Sequence, residues 1–306
     1  MTWLLLAFLS AMLLGFYDVS KKKALQENTV VPVLFLNTLF CSLIFLPIAL
    51  RPDVPFGGWE VQRYIVLKSL IVLASWICGY YGMKYLPLTI VGPINATRPV
   101  MVLVGAMLFY GERLNPYQWA GVLCAIVGYC LLRRGSKKEG IYFRGNRWVM
   151  LTMLAAIFGA LSGLYDKYLM AAPEAGGVGL HRITVQSYYN FYQCAIMGVA
   201  CMLISKPSST EEGEGRGWKS LFPSRGRGLG WVVLVSLFLS VADFVYFYSL
   251  SLDGAMVSIV SMVRRSSVLV SFLVGALVFH EKNLRSKALD LLLIFIAMIF
   301  LYLGAR

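Results

Sequence analysis

Ten apolar stretches follow one another along the chain, separated by short polar breaks: Thr2–Ser20, Val30–Leu50, Tyr64–Met83, Leu88–Tyr110, Tyr117–Leu132, Trp148–Met170, Ile183–Ile204, Leu229–Leu250, Ala255–Phe279 and Lys287–Leu303. A bilayer core takes about 20 apolar residues per helix, and lipid offers unpaired backbone groups no partners, so each stretch predicts a membrane-spanning helix. The alternation of a membrane β-barrel strand is absent. The first stretch lacks a basic leader and a small-residue cleavage site, which predicts a retained helix.

The series also reads as one unit written twice. Gly15-Phe16-Tyr17-Asp18 in the first span recurs as Gly163-Leu164-Tyr165-Asp166 in the sixth. Asn37 and Cys41 recur at the same spacing as Asn190 and Cys194. Arg98 of the fourth span has a counterpart in the Arg264-Arg265 pair of the ninth. Five spans per copy, an odd number, set the two copies in opposite orientations across the bilayer. The predicted architecture is therefore all-α: ten transmembrane helices as two inverted five-helix repeats, 1–134 and 148–306, joined by a basic loop at 135–147. Such repeats place a transport site near the midplane, where they meet.

Composition fits this picture. Hydrophobic residues are 58% and charged residues 14% of the 306 residues, against about 25% charged in soluble domains. The net charge of +13 does not point to nucleic acid, because the basic residues sit in short loops without interleaved aromatics. Most of them fall on the side opposite both termini, including Lys21, Lys22, Lys23, Lys84 and the 133–147 segment. The positive-inside rule then puts that side in the cytoplasm and both termini outside, as in a bacterial inner membrane. The Ser/Gly/Glu-rich stretch Lys206–Gly228 predicts a disordered surface loop. All six cysteines lie within apolar spans without a C-x-x-C pair, so they read as small buried hydrophobes. No metal, cofactor or P-loop motif is present, and His181 and His280 both lie near span ends.

Candidate chemistry concentrates at mid-span charges. Pro93-Ile-Asn95-Ala-Thr97-Arg98-Pro99 holds two prolines that each remove a backbone donor, which predicts a kinked fourth helix with freed carbonyls. An arginine at Arg98's depth costs roughly 2.5–3.5 kcal/mol on insertion scales, so it will not face lipid. It is either a structural arginine paired to a helix end or an acid, or an anion site on a watered cavity. Arg264 and Arg265 differ by about 100° around a helix, so one can face the cavity and the other a partner. A guanidinium fork suits carboxylate or phosphate. Asp243 in the eighth span is the best internal counter-charge, able to hold an amine, a hydroxyl or a proton. Asp18 and Asp166 are either helix-end ion pairs with Lys21 and Lys167 or alternating gates. Tyr81 and Tyr246 are either interfacial aromatics or cavity-facing rings.

The stretch Phe109-Tyr-Gly111-Glu112-Arg-Leu114-Asn-Pro-Tyr-Gln118-Trp119-Ala-Gly121 resembles the helix-four to helix-five region of the drug/metabolite transporter superfamily, EamA type. Gly82-Met-Lys-Tyr-Leu86-Pro87 and, more weakly, Phe279-His-Glu281-Lys-Asn-Leu284 are similar to the same family. The resemblance implies ten helices, with helices five and ten peripheral or at a homodimer contact. It implies a central cavity among helices one, three, four, six, eight and nine, and structural caps at Glu112 and Glu281. Related phosphate translocators hold the substrate phosphate with basic residues on helices four and nine, a placement that Arg98 and Arg264-Arg265 match. The family's usual orientation puts the termini in the cytoplasm, opposite to the charge count.

These readings predict a secondary transporter, not an enzyme, for a small anionic or zwitterionic metabolite, with a proton or counter-substrate as coupling partner. Arg98, Arg264, Arg265, Asn95, Asp243, Tyr81 and Tyr246 are the predicted binding residues, and Asp18 and Asp166 the predicted gating or coupling pair. The alternatives are a flippase for a lipid-linked or phosphorylated headgroup, and a non-transporting receptor or scaffold.

Overall fold

The computed structural model describes residues 2–51, 54, 56–110, 115–137, 142–170, 173–204, 227–251, 263–264, 266–279 and 284–304. They form eleven α-helices: α1 (Thr2–Glu27), α2 (Val30–Ala49), α3 (Gly58–Tyr85), α4 (Leu88–Ala96), α5 (Arg98–Tyr110), α6 (Pro116–Lys137), α7 (Arg147–Met170), α8 (Arg182–Ile204), α9 (Arg227–Ser251), α10 (Ser267–Phe279) and α11 (Leu284–Gly304). A single 3-10 turn lies at Pro173–Ala175, and no strand occurs among the described residues. Five of the helices are long and apolar enough to cross a bilayer. Large apolar side chains such as Leu5, Leu67, Leu108, Leu237 and Leu277 are exposed along helix after helix. Asn37, Gln62 and Gln193 are wholly buried. Outward grease over a polar interior suits lipid as the solvent, and the chain is an integral, multi-pass membrane protein.

Local chemistry sets the helix ends. Asn115 and Gln118 cap α6 reciprocally: the Gln118 N–H donates to Asn115 Oδ1 at 2.9 Å, and the Asn115 N–H to Gln118 Oε1 at 3.0 Å. Asn146 Oδ1 accepts from the Trp148 N–H at 2.9 Å and so starts α7. The first helix does not stop at Ser20, as expected, but runs through Lys21 and Lys22 to Glu27. Both lysines are buried against partners on α3.

The fourth span differs more. It is not one kinked helix but two, α4 and α5, parted at Thr97. Pro99 has no N–H for the Asn95 carbonyl, so the i→i−4 ladder breaks there. The chain tightens instead: the Thr97 N–H bonds the Ile94 carbonyl at 3.2 Å and its hydroxyl bonds the same oxygen at 2.7 Å. The predicted start of the ninth span, most of the Lys206–Gly228 loop, and Glu112, His280 and Glu281 lie outside the described residues.

The principal helix pairings are α1 with α9, α3 with α7, α2 with α8, and α6 with α11. Around them, α1 and α10, α5 and α7, α2 and α9, and α3 and α8 also pack. Two groups result, α1/α2/α9/α10 and α3/α4/α5/α7/α8, meeting along α2–α8 and α4–α10, with α6 and α11 outside. Each group mixes early and late parts of the chain. The hydroxyl of Ser10 on α1 donates to the Ala242 carbonyl of α9, and that of Ser75 on α3 to the Ala155 carbonyl of α7, both at 2.8 Å. One hydroxyl thus pins each central crossing.

The largest apolar cluster lies toward one end of the bundle. It holds Tyr17 and Leu25 of α1, Leu34 of α2, Tyr80 and Met83 of α3, Ile90 of α4, Val149 of α7 and Val232 of α9. These are the final turns of α1 and α3 and the first turns of α2, α4, α7 and α9, the end that carries Lys21, Lys22 and Lys84.

Candidate functional site

The break at Thr97 has a positional consequence. It leaves Asn95 near the end of α4 and Arg98 at the start of α5, both facing a cavity of about 210 Å³. Tyr17, Asp18 and Lys21 of α1 form part of its wall, Ser75, Trp76 and Tyr80 of α3 another, and Leu239 of α9, Arg264 and Ser267 the rest. The predicted cavity among spans one, three, four, eight and nine is therefore present. Helix α7, the predicted sixth-span wall, stands behind Arg98.

The two arginines are held differently. Arg98 lies against α7, with Nη2 directed at the Ala155 carbonyl at 3.4 Å. Arg264 forms an ion pair with Asp243, and its guanidinium carbon sits 4.2 Å from the centre of the Tyr246 ring. Asp243 and Tyr246 are one turn apart on α9 and embrace the same group. Tyr246 is itself buried against Ala7 on α1. Asp243 is thus the partner of Arg264 and does not line the cavity wall.

On the opposite wall, Asp18 pairs with Lys21 at 3.1 Å. The Lys21 ammonium also lies 4.3 Å from the Tyr17 ring centre and 5.2 Å from that of Tyr80. The expected Asp18–Lys21 pair is therefore present, but as part of the cavity wall, with Lys21 only 11% exposed. Asn95 presents an acceptor there: its Oδ1 is buried without a hydrogen-bond partner among the described residues. The wall thus offers three cations, one carboxylate and one unfilled acceptor.

Two more predicted residues, Tyr81 and Asp166, stand elsewhere. Tyr81 stacks parallel to Trp148, ring centres 6.4 Å apart, with Tyr85 closer on the same indole at 3.8 Å; it does not reach the cavity. Asp166 pairs with Lys68 of α3 at 2.5 Å, where Lys167 was the expected partner, and Lys68 also donates to the Ser162 hydroxyl at 2.6 Å. Arg265 lies outside the described residues. Lys68, Trp76 and Ser75 were not among the predicted residues; the one usable signal for Lys68 was its place within the apolar run of α3.

A bundle of apolar helices around a small, net-cationic cavity suits a membrane transporter. Residues 1–134 match the EamA-like transporter family. A protein of Aeromonas hydrophila named "Probable 4-amino-4-deoxy-L-arabinose-phosphoundecaprenol flippase subunit ArnE" is 40% identical over 80 residues, 26% of this chain and 70% of that one. An "Uncharacterized transporter" of Archaeoglobus fulgidus is 27% identical over 146 residues, 46% of this chain and 52% of that protein. The chain spans only about half of that relative's length. A solved crystal structure superimposes over 100% of this chain and 98% of its own, with a TM-score of 0.64 at 15% identity, a likeness of fold alone. The chain belongs to the EamA-like transporter family.

Proposed function

We propose that this protein is a secondary transporter moving a small anionic or zwitterionic metabolite by alternating access. The observation that carries the reading is the cavity that Arg98 and Arg264 both line. At about 210 Å³ it falls below the ~300–1,000 Å³ of drug-sized pockets, which favours a small cargo. Arg98 takes the anionic end. The unfilled Asn95 Oδ1 and the Asp18 carboxylate suit an ammonium or hydroxyl at the other. Arg264, already on the wall, binds the cargo by exchanging its Asp243 partner for it.

The architecture we infer is two inverted five-helix repeats, 1–134 and 148–306, with 135–147 between them. The packing supports it. Exchanging the two halves maps the α1–α9 pair onto α7–α3, α1–α10 onto α7 with α4/α5, and α2–α9 onto α8–α3, while α2–α8 and α6–α11 map onto themselves. The moving bodies on this reading are the two mixed helix groups and not the two halves of the chain. Several contacts lack comparable twins among the described residues: α1 and α2 both pack on α3, but α7 and α8 do not pack comparably on α9. Tyr17 to Leu25 are largely buried, whereas their counterparts Tyr165, Asp166 and Tyr168 are half-exposed. Together with the one-sided apolar cluster, this favours a state closed at the lysine-rich end and looser at the other. The charge count favours a cytoplasmic position for the closed end, with both termini outside; activity of a C-terminal reporter that works only in the cytoplasm overturns that orientation.

The Aeromonas relative's name favours a second reading, flipping of a lipid-linked sugar, with Arg98 on the phosphate. Proteoliposomes separate the two. Counterflow of water-soluble anions and zwitterions that falls at least tenfold in Arg98→Ala supports the first. Movement of labelled lipid-linked sugar with no soluble counterflow supports the second. Soluble flux unchanged in Arg98→Ala removes Arg98 from the site.

A further inference from the structure

We propose that Gly159 of α7 is a positioning residue for Arg98, fixing the pose in which the guanidinium meets an anion; this rests on the reading of Arg98 as the anion contact. A methyl group at Gly159 would lie 2.8 Å from Arg98 Cζ, 2.9 Å from Nε and 3.0 Å from Nη1. Three near-equal distances to three atoms of one plane mean that the guanidinium lies face-down over the glycine. The missing side chain is the shelf. One turn earlier, the Ala155 carbonyl completes it, accepting from Arg98 Nη2 at 3.4 Å and from the Ser75 hydroxyl at 2.8 Å. Ser75 lies on the cavity wall, so the shelf is tied to the site from both sides.

A glycine inside a long helix is unfavourable relative to alanine and calls for a reason. The repeat supplies a comparison. In the register set by Gly15 and Gly163, the α1 residue equivalent to Gly159 is Ala11, which is buried. The Ala11 methyl keeps any flat group farther from the α1 backbone there, and Arg264 is held by Asp243 and Tyr246 of α9. The two arginines therefore present differently, one on a backbone shelf and one clasped by an acid and a ring. Gly159 makes the difference. Its neighbour Gly163 has no such duty: a methyl there would meet Val102 at an ordinary 3.6 Å.

The test uses the purified full-length protein and two readouts that need no known cargo. The first is modification of Arg98 by phenylglyoxal, read by mass spectrometry, with exposed Arg63 as internal reference and inorganic phosphate as the competing anion. In the parent protein phosphate slows modification of Arg98. In Gly159→Ala this protection falls by about tenfold or more, since a displacement of about 1 Å in a positioning contact costs up to ~100-fold. Gly163→Ala keeps it. The second is thermal: Gly159→Ala lowers Tm, and adds no further loss on an Arg98→Lys background, where no planar group rests on the shelf. Equal phosphate protection in Gly159→Ala and the parent overturns the proposal. So does a Tm loss from Gly159→Ala that persists undiminished with Arg98→Lys, because the glycine then serves helix packing alone. If phosphate fails to protect Arg98 in the parent, the anion reading fails, and the thermal cycle still decides the shelf.

Discussion

Lys22, near the end of α1, places its ammonium 2.6 Å from the carbonyl oxygen of Met83 in the last turn of α3. The same group reaches the Leu86 carbonyl at 2.6 Å and that of Lys84 at 3.4 Å. The carbonyls that end a helix have no intrahelical donor and carry the negative end of its dipole, so a buried cation suits them. Lys84 answers by donating to the Asn28 carbonyl just beyond α1 at 2.9 Å. These bonds join the two helix groups at the lysine-rich end. Lys22→Met keeps the apolar stem and removes the charge. It is expected to cost about 2–4 kcal/mol, seen as a Tm several degrees lower. If Lys22 merely snorkels toward water, Tm will be unchanged.

The Arg264–Asp243 pair makes a sharper prediction, because the side chains are only 19% and 14% exposed. Removing one member leaves the other charged and poorly solvated, which costs roughly 3 kcal/mol or more; removing both together costs far less. Arg264→Met should therefore destabilise strongly, and Arg264→Met with Asp243→Asn should recover most of the loss. Thermal melts of the four proteins give the coupling. Additive losses would mean that the two groups do not compensate each other.

The α3–α7 crossing depends on Gly82. A methyl there would lie 2.1 Å from the Thr152 hydroxyl oxygen, which itself bonds the Trp148 carbonyl at 2.9 Å. Gly82→Ala must turn that hydroxyl away or part the helices, and overpacking of this kind costs about 1–3 kcal/mol. Thr152→Ala removes the clashing atom, so the double variant should melt close to Thr152→Ala alone. A Gly82→Ala protein as stable as the parent would put the closest approach of these helices elsewhere.

Helices and site were legible in the sequence to different degrees. The apolar runs over α2, α7, α8 and α9 were readable because lipid selects length and composition, and those runs have little else to satisfy. That Arg98 and Asn95 turn inward to the cavity was readable because two prolines and an arginine in one apolar run conflict with plain membrane insertion. Lys22 and Lys68 were not, since a lysine near a span end ordinarily reaches the headgroups, and only tertiary contacts reveal that these two turn inward. The partner of Asp166 was misjudged for the same reason: the adjacent Lys167 was available in sequence, but α3 brings Lys68 into contact. Tyr81 and Tyr246 are alike in sequence, yet one stacks on Trp148 and the other clasps Arg264. Helix rotation decides between them, and the nearly uniform apolarity of these spans does not encode it.

Pro99 holds the site open by keeping α4 and α5 apart. Its ring nitrogen cannot donate to the Asn95 carbonyl, so the helical ladder is interrupted at Thr97. The break aims Arg98 at the cavity and toward the Ala155 carbonyl. Pro99→Ala restores the missing donor and allows the Leu88–Ala96 and Arg98–Tyr110 helices to fuse. Thr97 would then lose its tightened turn, and Arg98 would rotate with the new helix. The expected outcome separates stability from function: Tm equal to or above that of the parent, with counterflow reduced at least tenfold, because a misaligned cation no longer meets its anion. Phenylglyoxal labelling should report the same change, with phosphate no longer protecting Arg98. A Pro99→Ala protein with parental flux would mean that the break shapes the helix without setting the arginine.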